Sequence, residues 1–201
     1  MSDTARSKLQ RILSQGHLAV TSECGPPRGS DPEAIKKKAE MIKDHVDAVN
    51  ITDNQTSVTR LCSLAACIHL KLMGVEPVLQ MVTRDRNRIS IQSDILGAAS
   101  FDIPNMLCLS GDHQSFGDSA QGQNVHDLDS MQLIQTVRQM RDEGKFLGGA
   151  EIKRPPNMFV GAAANPFADP FEIRVPRLAK KVAAGVEFIQ TQCIYNLDKF
   201  E

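Results

Sequence analysis

Six short apolar runs, each separated from the next by a segment of helical period, limit this chain more than any other feature. The runs are Leu18–Ser22, Ala48–Thr52, Pro77–Val82, Met106–Leu109, Met158–Ala162 and Phe188–Ile194. Most show no polar alternation, the pattern of strands buried on both faces of a parallel sheet. Between them, apolar residues recur at helical spacing. Ile35, Ala39, Ile42 and Val46 share one face, behind Ser30-Asp31-Pro32, an N-cap residue followed by a proline in the first turn. Val58, Leu61, Ala65, Ile68 and Leu72 form a second face that stops at Gly74. Ile91–Ala99 gives a weaker third, and Leu133, Val137 and Met140 a fourth. The last is expected from about Pro176, with Leu178 and Val182 inward, to a C-terminal glycine at Gly185. Five strand–helix units and a sixth strand define an α/β fold with a parallel sheet.

Such a sheet can be doubly wound or curled into a barrel. No G-x-G-x-x-G or G-x-x-x-x-G-K follows any run, so the common dinucleotide and P-loop readings lose support. The runs end instead in polar chemistry: Glu23, Thr52-Asp53, Thr83, Gly111-Asp112, Asn165 and Gln192. A polar side chain at the C-terminal end of nearly every strand is how barrel active sites are assembled. The expected class is therefore a (β/α)8 TIM-barrel type with six parallel strands present. Closure takes eight strands, so residues 1–201 are expected to form a single domain, the N-terminal three-quarters of a barrel. The first and sixth strands would then flank a gap. The polar, glycine-bearing stretch 112–127 reads as an active-site loop.

Composition narrows the function. At 41% hydrophobic and 23% charged residues, the 201-residue chain has globular, not disordered, usage. Lys plus Arg total 23 against 24 Asp plus Glu, so the basic excess of a nucleic-acid binder is missing. No apolar stretch approaches membrane-spanning length. The polar start and five scattered cysteines, at 24, 62, 67, 108 and 193, read as a cytoplasmic protein with reduced thiols. No metal site is expected: Cys62 and His69 share a helix face but stand roughly 10 Å apart, too far for one ion.

The strand ends also resemble those of the methylenetetrahydrofolate reductase family. TSECGPPRGSD is similar to its Glu-x-x-Pro-Pro-Arg turn, and LCLSGD to its Arg-Gly-Asp flavin turn, with Ser110 where arginine is often found. AAANPFADP resembles the flavin segment after the fifth strand, and KKVAAGVEFIQTQ the run from a flavin-binding lysine to a substrate-binding glutamine. QMVTRDRN departs from the pattern, carrying Gln80 where a histidine is usual. A carboxyl set among apolar neighbours, as expected for Glu23 beside the Gly25-Pro26-Pro27 turn, can serve as an acid near neutrality.

The resemblance implies that Glu23 donates the proton that opens the five-membered ring of methylene-folate to an iminium. It sets Asp112 near the flavin N1 and C2 carbonyl, where its charge favours hydride donation and the cationic substrate. Thr52, Gln80, Gly111, Asn165, Asp169 and Lys181 are implied flavin contacts, with Lys181 toward the diphosphate, and Gln192 meets the pterin edge. The implied cofactor is FAD or FMN, reduced by NAD(P)H or a partner electron carrier, in a homo-oligomer or with an accessory reductase subunit. Two other classes stand beside this one. One is a flavin-binding electron-transfer subunit; the other is a pterin-binding barrel methyltransferase without flavin.

Overall fold

The computed structural model describes residues 5–119, 121–198 and 200. Strands β1 (Thr21–Cys24), β2 (Ala48–Ile51), β3 (Pro77–Val82), β4 (Asn105–Leu109), β5 (Phe159–Ala164) and β6 (Phe188–Thr191) make one sheet in chain order, every neighbouring pair parallel. Helix α1 (Lys8–Ser14) precedes the sheet; α2 (Glu33–Ile42), α3 (Ser63–Leu72), α4 (Arg88–Ser100), α5 (Ser130–Arg138) and α6 (Phe171–Ala184) follow β1 to β5 in turn. The result is a curled, partial TIM-type barrel. Among the described residues β1 pairs only with β2 and β6 only with β5, so both are free edges, as the strand count predicts.

Strand parity sorts the core into two layers. Val49, Ile51, Leu79, Met81, Met106 and Val160 face the helices and pack with Ile35, Ala66, Leu70, Ile91, Ile95 and Ile134. The alternate residues Ala48, Val78, Leu107 and Phe159 face the concave interior, with Leu9 of α1 against them. Phe188 lies there too, stacked on Phe159 with ring centroids 4.8 Å apart. Its ring occupies the space a side chain at residue 161 would need: a Cβ on Gly161 would stand 2.1 Å from it. Each large side chain fully buried in these layers contributes about 1.5–3 kcal/mol.

Several boundaries differ from the sequence reading. β1 begins at Thr21, because pairing starts only where β2 offers Ala48; Leu18 is 88% exposed and Val20 is exposed on the free edge. α1 was not expected, although Ser7 and Gln10 carry its signal: the Ser7 hydroxyl accepts from the Gln10 N–H at 2.9 Å and the Gln10 side chain from the Arg6 N–H at 2.7 Å. α3 starts at Ser63 and turns Ala66, Cys67 and Leu70 inward, leaving Leu72 exposed. Residues 58–62 belong to a loop instead, where the Leu61 N–H is taken by the Pro27 carbonyl. α6 begins at Phe171, so Pro176 falls inside it and costs it one backbone hydrogen bond. Leu178 and Val182 are not inward: they are 38% and 57% exposed, since the helix stands off the sheet beside the free β6 edge. Leu133, Val137 and Met140, by contrast, are fully buried as their spacing predicts.

Candidate functional site

A cleft of about 820 Å³ opens at the C-terminal ends of β3 to β6, between the turn after β4 and helix α6. That is the size of a small-molecule or cofactor site, and the C-terminal end of the strands is where barrels bind. Gln80, Gly111, Asp112, Asn165, Asp169, Lys181 and Gln192, seven of the nine residues singled out from the sequence, line it. Glu23 and Thr52 do not.

Each residue is placed by its local chemistry. Gln80 projects from the inner face of β3 and is largely buried. Gly111 has φ +87°, left-handed backbone that favours glycine; a Cβ there would come 3.1 Å from that of Val82. The next residue, Asp112, accepts the Thr56 N–H on its carboxylate at 3.0 Å. Asn165 accepts the Phe167 N–H at 2.9 Å and so shapes the turn after β5. Asp169 is exposed, 3.4 Å from Arg174. Lys181 of α6 donates to the Ala163 carbonyl, which ties the helix to β5. Burial, and then the neighbouring Arg177 cation, hold its ammonium below the usual lysine range. Gln192 extends the β6 ladder through its backbone N–H to the Ala164 carbonyl at 2.9 Å.

The two remaining residues sit on the other side of the opening. Glu23 pairs in register with Asn50, on the inward-facing side of β1. It is exposed, which corrects the expectation of an apolar setting: β1 is a free edge, and nothing among the described residues covers it. Thr52 is buried, and among the described residues its Oγ1 has no hydrogen-bond partner. That hydroxyl faces the turn after β1, 3.6 Å from where a Cβ on Gly25 would stand.

Sequence reasoning placed Asp53 at a strand end but missed its ion pair, and missed Arg84 and Arg86. Asp53, whose side chain is wholly buried, accepts from Arg86 at 2.6 Å and from the Val82 N–H at 3.0 Å. Arg86 also meets Asp94 at 2.9 Å. Burial works against the Arg86 cation, yet the Asp53 and Asp94 carboxylates hold it above its ordinary value. Arg84 is 2% exposed and reaches across to the turn at Asp112. The signal was the Arg84-Asp85-Arg86-Asn87-Arg88 run at the end of β3, facing Asp53 at the end of β2.

A second cleft, of about 640 Å³, lies at the opposite end of the sheet. Several of the charged residues lining it are ion-paired: Arg6 with Glu187, Lys8 with Asp47 and Arg154 with Asp102. Among the described residues no helix is long and apolar enough to cross a membrane.

A family model described as methylenetetrahydrofolate reductase matches residues 8–201. The chain belongs to the methylenetetrahydrofolate reductase family. No curated protein matches it. Among solved structures, an uncharacterized protein from Clostridium thermocellum that binds two copies of 5-methyl-5,6,7,8-tetrahydrofolic acid aligns with a TM-score of 0.60 at 14% identity, over 95% of this chain and 60% of that one. A 2,3-dimethylmalate lyase of the PEP mutase/isocitrate lyase superfamily aligns in its trigonal crystal form with a TM-score of 0.58 at 13% identity, over 98% of this chain and 65% of that one. Identities this low speak to the fold alone. This member of the methylenetetrahydrofolate reductase family thus spans about three-fifths of the length of the Clostridium protein, and its cleft lies at the strand ends where its family-like segments fall.

Proposed function

We propose that the cleft binds a flavin and that the protein reduces 5,10-methylenetetrahydrofolate to 5-methyltetrahydrofolate. One observation carries this reading: in a chain of this family, seven residues scattered from 80 to 192 converge on a single cleft. The folate bound by the Clostridium thermocellum structure of the same fold supports the substrate class.

The lining fits a flavin. Val82, Leu109, Ala163, Ala164 and Ile189 offer apolar surface for a flat ring system. Gln80, Asn165 and Gln192 offer amides for its polar edge, and Lys181 with Arg177 offers positive charge for phosphate. The left-handed Gly111 carries the chain past the cleft in a tight turn and leads into Asp112. Bound flavin supplies hydride transfer. Asp112 contributes a negative charge that favours a cationic substrate beside it. Gln192, at the end of β6, orients the pterin through paired donor and acceptor atoms. Glu23, facing inward from β1, donates the proton that opens the five-membered ring. Reducing equivalents come from NAD(P)H or from a partner electron carrier.

Two measurements test this. Titration with FAD and FMN, followed by visible absorption, should show stoichiometric binding. Glu23→Gln should bind flavin as well as the parent and be reduced by the same donor, yet lose about 10²–10⁴-fold in folate reduction, the usual worth of general acid catalysis. Absence of flavin binding would overturn the reading and favour the methyltransferase class. Flavin binding without folate turnover by the parent protein would favour an electron-transfer subunit. Full turnover by Glu23→Gln would remove Glu23 from the mechanism.

A further inference from the structure

We propose that Arg84 is a positioning residue for Asp112, acting through the 54–57 loop; the inference rests on the reading of Asp112 as the carboxylate beside the flavin. Arg84 stands two residues past the end of β3 and is almost wholly buried. A guanidinium has five N–H donors, and here five hydrogen bonds leave it. Nε and Nη2 hold the Asp85 carboxylate at 2.7 Å each. Nη2 also reaches the Asn54 carbonyl at 3.2 Å, and Nη1 reaches the Ser57 hydroxyl at 2.7 Å and the Asp112 carbonyl at 3.0 Å. The Arg84 backbone N–H bonds the Ser110 carbonyl at 3.1 Å. Two strand-end loops, after β2 and after β4, are therefore fastened to one side chain from β3.

The loop after β2 is an unusual thing to fasten. Asn54, Thr56 and Ser57 have φ of 42°, 54° and 58°, three non-glycine residues in the left-handed region within four positions. Such backbone persists only where its surroundings over-determine it. Arg84 supplies that constraint at Asn54 and Ser57, on either side of Thr56. Thr56 is the residue whose N–H holds the Asp112 carboxylate. The Ser57 hydroxyl closes the circuit at 3.0 Å from both the Asp112 and His113 carbonyls. The loops are also pressed together: a Cβ on Gly117 would lie 1.9 Å from the Ser57 carbonyl oxygen. The charge of Arg84 is matched by its bidentate pair with Asp85, so its influence on the cleft is exerted through the place it gives Asp112.

That distinction sets the experiment, which compares two variants that leave net charge unchanged with Asp112→Asn, which does not. Arg84→Lys keeps the cation but cannot span Asn54, Ser57 and Asp112 at once. Ser57→Ala removes one hydroxyl from a partly exposed position and spares the fold if Arg84→Lys does not. The readouts are the flavin midpoint potential and hydrogen exchange of the Thr56 amide. Asp112→Asn should raise the potential, because a negative charge near the ring is lost. Arg84→Lys and Ser57→Ala should raise it too, by less, with no further rise when either is combined with Asp112→Asn. Both should speed Thr56 exchange, with or without flavin. A potential unmoved by Asp112→Asn would sink the reading of Asp112 itself. If Asp112→Asn moves it while both charge-neutral variants leave it unchanged, or shift it additively, Arg84 is only a loop fastener. Unchanged Thr56 exchange in both variants would break the link before flavin enters.

Discussion

The two walls of the cleft are built by opposite means. On the β2–β4 side the strands are buried on both faces, and the turns above them are locked by the Asp53–Arg86–Asp94 and Arg84–Asp85 ion pairs. On the other side α6 buries one residue of fourteen, Ala184, and leaves Phe171, Val175 and Val182 exposed. Besides its packing on α5, it is held by a few polar links: Lys181 to the Ala163 carbonyl, and Arg174 to the Pro166 and Ala168 carbonyls of the turn before it. Local stability follows buried apolar contact, so the first wall is the frame and the second is the part that opens first. The reading proposed above puts its charge-tuning group, Asp112, on the frame and its phosphate-facing lysine on the looser wall. Electrostatic tuning needs fixed geometry, whereas a flexible diphosphate tolerates an adjustable partner.

The largest effect that could break this contrast is on the frame. Asp53→Ala leaves Arg86 buried without its main counter-charge and should cost about 3–5 kcal/mol in denaturant-melt stability. A loss below about 1 kcal/mol, the worth of an exposed pair, would show that the frame does not depend on this pair. Next is a matched truncation. Ile95→Ala in α4, behind the frame, should cost about 2–5 kcal/mol, while Val182→Ala in α6 should fall within about 0.5 kcal/mol. Equal losses would erase the difference between the walls.

The smallest effect is set by pH. Asp127 pairs with Arg88 at the start of α4, and the Arg88 side chain with its backbone N–H holds the Asp127 carboxyl down to about 2. Its folded value lies below the ordinary carboxylate value of about 3.9. The stabilisation is therefore complete above that value and is lost as pH falls through about 2. Melting curves of the parent and Asp127→Asn should differ near neutrality and converge at the acid end. A constant offset down to the lowest pH would assign Asp127 a role that does not titrate.

What could be read from the sequence follows the same division. β2, β3 and the α5 face were legible because their apolar residues are buried on every side available, and periodicity reports burial. Leu18 and Val20 misled because they precede Thr21, the first paired residue, where the chain beside the free edge is open to water. Leu178 and Val182 misled because α6, too, is open to water beside the free β6 edge. The site was legible as one polar group per strand end, which needs only strand positions. The ion pairs were not, because Asp53 and Arg86 meet across 33 residues of chain and no local spacing encodes that distance. Thr52 shows the remaining limit. Its place at a strand end could be read, but not that its hydroxyl would lie beside the turn at Gly25 and that Thr52 would stay out of the cleft lining.

The stacked pair of Phe159 and Phe188, seated over Gly161 and packed with Leu9, fills the concave interior of the sheet. At that level the concave interior is packed rather than hollow, although the sheet around it is left unclosed between β1 and β6 among the described residues. Gly161→Ala would force the Phe188 ring out of its seat, so the one residue here without a side chain decides how β6, the last strand and one with no fully buried residue, lies against β5.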